Sequence, residues 1–170
     1  SVIQERTHAF AMKSAIWLID PRPNLPTIVQ MVEQAFELSE ASNTPVMMSL
    51  RIRTCHLQGS FIAKDNRAPE ISSVHLQSTA SSFSYDRLAH PPATFKQEKL
   101  KYEVRMPAAR RYIEAAGLNE CFEGSYSSLG LVVQGGLYNT LIRALQQLAL
   151  ADAGGQSQIP LLVLNVVYPL

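Results

Sequence analysis

The sequence predicts an α/β fold with parallel strands arranged in two β-α-β units. Leu129–Gln134 and Leu161–Val167 are continuous apolar runs around an amphipathic stretch, and such runs mark strands covered on both faces by helices. The connection between them is about twice the dozen residues that a parallel crossover needs, and its hand should be right-handed. A second strand–helix–strand pattern lies earlier, between Ala15 and Thr54.

Each element has a local reason. Ser1–Ser14 is polar and leads into a short strand, Ala15–Ile19. Asp20-Pro21-Arg22-Pro23 ends that strand, because proline removes a ladder donor and stiffens the turn. Asn24 suits an N-cap and Pro26 a first helical turn, so a helix is expected from Leu25 to Ala41. Ile28, Val32, Ala35 and Phe36 form its expected buried stripe. Ser42-Asn43-Thr44 closes the helix, and Pro45 opens a strand through Thr54. There the alternation of Leu50, Arg51, Ile52 and Arg53 puts two arginines on the less buried face. Asp65–Thr94 is rich in serine and proline and reads as a linker or long loop. A helix is expected to begin near Pro107, with Tyr112, Ile113 and Ala116 inward and Gly117 as its stop. The last helix runs from Tyr138 to Asp152. Leu141, Ala144, Leu145 and Leu148 share one face, and Gly154-Gly155 fits a left-handed stop.

The chain has 170 residues and a net charge of +1. That size allows one domain or two small ones, burying roughly 70% of the unfolded surface. The near-neutral charge gives no pull toward nucleic acid or an anionic membrane. Only 17% of residues are charged while 46% are hydrophobic, against about 25% charged in ordinary soluble domains. Part of the surface is therefore expected to face another chain or domain, and a homo-oligomer is expected. Cys55 and Cys121 form neither a disulfide framework nor a metal signature. A reducing, cytoplasmic setting fits. No apolar run approaches the ~20 residues of a membrane helix, and no signal-peptide pattern opens the chain. Both ends look cut, as in a piece of a longer protein.

Gly135-Gly136, between a strand and a helix, reads either as a phosphate seat at a helix N-terminus or as a tight turn. Neither GxGxxG nor GxxxxGK[ST] is present, which favours the turn. The basic run from Lys96 to Arg111 reads as a solvated face or, alternatively, as a grip on a phosphorylated ligand or an acidic partner. Cys55-His56 has no nucleophile spacing, and His8, His75 and His90 are isolated. Gln4-Glu5-Arg6 lies in the run entering a strand, where loops of α/β folds often line sites.

Several stretches resemble the thiamine-diphosphate-dependent 2-oxoacid:ferredoxin oxidoreductases, closest to their indolepyruvate branch. Ala35–Glu40, Thr44–Met48 and Arg51–His56 resemble the helix and last strand of that family's pyrimidine-binding domain. Gln4-Glu5-Arg6 and Phe10-Ala11-Met12 resemble the segment entering the preceding strand. Leu131–Asn139 and Val163–Leu170 resemble the next domain, which is like the C-terminal domain of transketolase.

The resemblance implies residues 1–66 as the end of the pyrimidine domain, 67–106 as a linker and 107–170 as the transketolase-like domain. It implies a parent enzyme with thiamine diphosphate and Mg²⁺, iron–sulfur clusters and coenzyme A. Such a parent decarboxylates an indolepyruvate-like oxoacid to an acyl-CoA and passes electrons to ferredoxin. Gln4, Glu5 and Arg6 would lie nearest the cofactor. The family holds the diphosphate through Mg²⁺ on a Gly-Asp-Gly motif, which this chain lacks, and no cysteine run suits a cluster. None of these groups is therefore expected to bind this chain by itself, which should be inactive. Its partners would be the remaining domains or subunits of the parent. The competing readings are a non-catalytic docking module and a nucleotide or coenzyme A binder.

Overall fold

A computed structural model describes residues 6–67 and 82–170. It is a mixed α/β fold with two three-stranded sheets, each containing a parallel pair. In chain order the elements are α1 (Thr7–Ser14), β1 (Trp17–Ile19), α2 (Leu25–Ser42), β2 (Val46–Met48) and α3 (Ile52–Cys55). Then come α4 (Ala93–Leu100), a wide π-type segment (Lys101–Arg105) and α5 (Met106–Ala115). The second sheet brings β3 (Glu120–Phe122), β4 (Leu131–Gln134), α6 (Tyr138–Gln147) and β5 (Leu161–Leu164), and β6 (Val166–Tyr168) ends the fold.

Both expected β-α-β units form. Trp17, Leu18 and Ile19 of β1 pair in parallel with Val46, Met47 and Met48 of β2. Leu131 to Gln134 of β4 pair in parallel with Leu161 to Leu164 of β5. The expected single strand from Leu161 to Val167 is instead two strands. The chain breaks at Asn165 and changes sheets: β5 is central in the second sheet, while β6 pairs antiparallel with β1 in the first. An antiparallel β3 completes the second sheet. The two units therefore share a continuous length of chain.

The first sheet is well covered. Trp17 and Ile19 pack with Met31 and Leu38 of α2, Met106, Ala109 and Ile113 of α5, and Val166 of β6. Leu18 points to the opposite face by strand alternation and is also fully buried. The Trp17 indole N–H donates to Ser42 Oγ at 2.7 Å, which satisfies its one polar atom. In the second sheet, Leu161 and Val163 pack beneath Ile142 and Leu145 of α6.

Several local expectations are corrected. Ser1–Ser14 is not only a polar lead-in, because Thr7–Ser14 is a helix. The N-cap of α2 is as expected, with Asn24 Oδ1 accepting from the Thr27 N–H at 3.3 Å. Its buried face is only partly so: Ala35 packs against the core and Ile28 is half-buried, but Val32 and Phe36 are 43% and 72% exposed, while Thr27, Met31, Leu38 and Ser42 turn inward. The rotation lets Ser42 reach Trp17. The strand from Val46 to Thr54 stops at Met48, and Ile52–Cys55 is a helical turn. Long-range pairing of Arg51, described below, overrides the local alternation.

The helix expected near Pro107 begins at Ala93 and passes through the π segment. In a regular helix the Pro107 ring would meet the carbonyl of Glu103, and the widened turns just before it relieve that clash. Ala116 is exposed rather than inward, and Gly117 takes φ +59° after the helix. The last helix ends at Gln147 rather than Asp152, with Ala149 at φ 56° just past it; of Gly154-Gly155, Gly155 takes φ 87° in the later turn. Ala144 and Leu148 are exposed, and Ile142 takes their place in the core.

Candidate functional site

The carboxyl ends of the parallel strands converge between the two sheets, the edge where open α/β folds usually build sites. Asp20 follows β1, Arg51 follows β2, Gln134 ends β4 and Asn165 follows β5. These residues bond to one another across both units.

Asn165 is fully buried. Its Oδ1 accepts from the backbone N–H of Arg22 at 2.8 Å. Its Nδ2 donates to the Leu118 carbonyl at 2.9 Å and to Glu120 Oε2 at 3.0 Å. Its own carbonyl accepts from the Asp20 N–H at 2.8 Å. A polar side chain inside an apolar strand is tolerable only when its bonds are made in this way.

Two guanidinium–carboxylate pairs flank it. Arg22 grips Glu120 with both ends of its fork, Nε to Oε2 and Nη2 to Oε1, each at 2.9 Å, a geometry that matches the carboxylate plane. The Arg22 guanidinium also lies 5.3 Å from the Tyr138 ring and 5.6 Å from the Phe122 ring, close enough for cation–π attraction. Burial pushes the Glu120 carboxyl up, but hydrogen bonds from Arg22 and Asn165 and the Arg22 charge outweigh it, and the net shift is downward. Asp20, with only 1% of its side chain exposed, accepts from Arg51 Nη2 at 2.7 Å. The same nitrogen reaches Gln134 Oε1 at 3.1 Å, so Arg51 ties the end of β2 to β1 and β4.

Gly135-Gly136 is a close approach of backbones. A Cβ on Gly135 would sit 2.7 Å from the Arg22 nitrogen and 2.8 Å from Asn165 Oδ1, and one on Gly136 would sit 2.8 Å from Arg51 Cδ. Neither glycine has positive φ, so both are required by space and not by backbone conformation. The Asp20–Arg22 turn, Asn165 and the Arg51 side chain pack directly against these two glycines. Among the described residues, no group of three or more His, Cys, Asp or Glu side chains can hold a metal ion. These residues do not fit a magnesium diphosphate. Each carboxylate is held by an arginine, so neither is presented as a free base. The arrangement is a clasp between the two units.

Gln4 and Glu5 lie outside the described residues. Arg6 is exposed just ahead of α1, and its side chain caps no helix N–H. Cys55 and His56 are both exposed at the end of α3. The basic run is largely a solvated, self-paired helix surface: Lys101 meets Glu98 at 2.7 Å, Lys99 meets Glu103 at 3.7 Å and Arg105 donates to Gln97 at 2.8 Å. Sequence reasoning did not single out Asp20, Arg22, Arg51, Glu120, Gln134 or Asn165 as a group. Asn165 alone left a signal, as a lone polar residue within Leu161–Val167.

No family model matches the chain, and no solved structure does. Two curated relatives do match, both named indolepyruvate oxidoreductase subunit IorA, from Methanothermobacter marburgensis and Methanothermobacter thermautotrophicus. Each is 28% identical over 98% of this chain. The chain spans 25% of the length of each relative. It is thus similar, along nearly its whole length, to one quarter of an indolepyruvate oxidoreductase subunit, and the resemblance its motifs bear to the 2-oxoacid:ferredoxin oxidoreductases stands.

Proposed function

We propose that this chain is a part, inactive by itself, of an indolepyruvate-type 2-oxoacid:ferredoxin oxidoreductase, the end of its pyrimidine domain followed by its transketolase-like domain. The observation that carries the reading is the match to the IorA subunits along 98% of the chain. In the longer enzyme, thiamine diphosphate supplies decarboxylation chemistry, which the protein serves by orientation. This chain supplies a rigid joint between two domains, through Asn165 and the two arginine–carboxylate pairs. Ferredoxin and coenzyme A engage other parts of the enzyme. Gln4, Glu5 and Arg6 are the residues of this chain nearest the cofactor.

The test is an assay of the longer polypeptide with any companion subunit. Loaded with thiamine diphosphate, Mg²⁺ and coenzyme A, it should reduce a viologen dye with an arylpyruvate. No reduction with any 2-oxoacid would overturn the reading. In that enzyme Arg6→Ala should reduce turnover, and unchanged kinetics would remove Arg6 from the site. The 170-residue chain alone should show no heat of binding to thiamine diphosphate with Mg²⁺ in calorimetric titration, because it lacks the Gly-Asp-Gly motif for the diphosphate. Clear micromolar binding would contradict this.

The docking-module reading keeps some support from the uncovered face of the second sheet, where Val132 is 66% exposed. A solution mass separates it in part, since a stable monomer with no companion weakens it. The closed glycine loop counts against the nucleotide-binding alternative. Among the described residues, no helix is long and apolar enough to cross a membrane.

A further inference from the structure

Among the described residues, the second sheet has α6 on one face only. On the other, the register places Cys121 and Val132 on either side of Leu162. Cys121 is exposed, Val132 is 66% exposed and Leu162 is half-buried. An apolar trough of about 550 Å³ runs along this face, with Cys121, Gly130, Val132, Pro160 and Leu162 among its walls. A parallel pair such as β4–β5 is normally covered on both sides, so among the described residues this face lacks a layer.

The dimensions choose between occupants. Three strands about 4.8 Å apart and four residues long at about 3.3 Å each make a face of roughly 14 by 13 Å. A helix about 10–12 Å across covers that width. A stable interface with a second copy buries about 800 Å² of accessible surface per partner and would have to extend well beyond this sheet face. The relatives, of which this chain spans 25%, have ample further sequence to supply a helix.

We propose that the open face of the second sheet is the seat of one amphipathic helix, contributed by a part of the same polypeptide outside these 170 residues. The proposal rests on the reading of the chain as part of a longer subunit. The helix presents an apolar stripe to Val132, Leu162 and Cys121, and it gains by removing that surface from water.

Cys121 reports directly on the seat, and Cys55, exposed on the first unit, monitors general access of the reagent. Alkylation by N-ethylmaleimide, followed by peptide mass spectrometry, gives the rate at each thiol. Cys121 should react at least tenfold more slowly in the longer polypeptide than in the 170-residue chain. Equal Cys121 rates in the two would overturn the proposal. Protection of Cys121 in the 170-residue chain that grows with concentration would identify a second copy as occupant and overturn it. So would protection that appears only on adding a separate subunit, or a gene that ends at Leu170. Val132→Glu adds a second readout: it should leave the melting temperature of the 170-residue chain unchanged and lower that of the longer polypeptide, and equal tolerance in both would count against the helix. Protection does not depend on turnover. A protected Cys121 in a polypeptide inactive toward 2-oxoacids would sink the proposed function and leave the helix seat standing.

Discussion

Trp17-Leu18-Ile19 and Leu131-Val132-Val133 are equally apolar in sequence, yet they meet different fates. Every side chain of the first triplet is fully buried, whereas Val132 in the middle of the second is 66% exposed. The strand β1 is central, with β2 and β6 on its flanks and cover on both faces. The strand β4 is an edge strand beside β5, with α6 on one face. Apolar continuity therefore records the cover a strand requires, and not the cover that these residues themselves provide. The first unit is covered by its own α2 together with α5 and β6 from later in the chain. The second is joined to it by the Asn165 clasp and, among the described residues, has a side still open.

Substitutions can break this contrast, and the largest effect is expected in the first sheet. Trp17→Ala removes a fully buried ring and leaves Ser42 Oγ without its indole partner, so urea denaturation should show a loss of about 3–5 kcal/mol. Asn165→Leu attacks the joint. It strands the Arg22 N–H and the Leu118 carbonyl, at about 1–3 kcal/mol for each buried group left unpaired. Gly135→Ala forces a Cβ against the Arg22 nitrogen and Asn165 Oδ1, for an expected loss of about 1–3 kcal/mol.

The Arg22–Glu120 pair sharpens the comparison through pH. Glu120 has its folded pKa depressed, so its contribution is complete above the unfolded glutamate value of about 4.3. That contribution is lost as pH falls through the lower folded value. The stability difference between the native chain and Glu120→Gln, followed by thermal melting, should therefore be constant near neutrality and shrink below about pH 4. The smallest effect belongs to the open face, where Val132→Ala should change stability by no more than about 0.5 kcal/mol. A loss as large as that of Trp17→Ala would mean that the face is already covered in this chain.

Much of the fold was legible. Both parallel units, the Asn24 cap and the right-hand limit of α2 followed from short-range chemistry. The clasp was not, because Asp20 and Arg51 lie 31 residues apart and Arg22 and Glu120 lie 98 apart, and no local pattern reports such pairings. The same pairing explains why Arg51 and Arg53 did not extend a strand. The face of α2 turns for a similar reason: Ile28, Val32 and Phe36 form as good a local stripe as Met31 and Leu38, but distant partners, Trp17 and the α5 residues Met106, Ala109 and Ile113, pack with Met31 and Leu38. Pro107 looked like a helix start because its missing N–H is harmless there, and the π segment shows the other way to accommodate it.

Amide hydrogen exchange tests the contrast between the sheets most directly. In the 170-residue chain, the amides of β4 should exchange faster than those of β1. In the longer polypeptide, protection at Leu131–Gln134 should rise at least tenfold while protection at Trp17–Ile19 stays the same. Unchanged exchange at β4 would show that its open face is a finished surface, and the account of an incomplete second unit would be wrong.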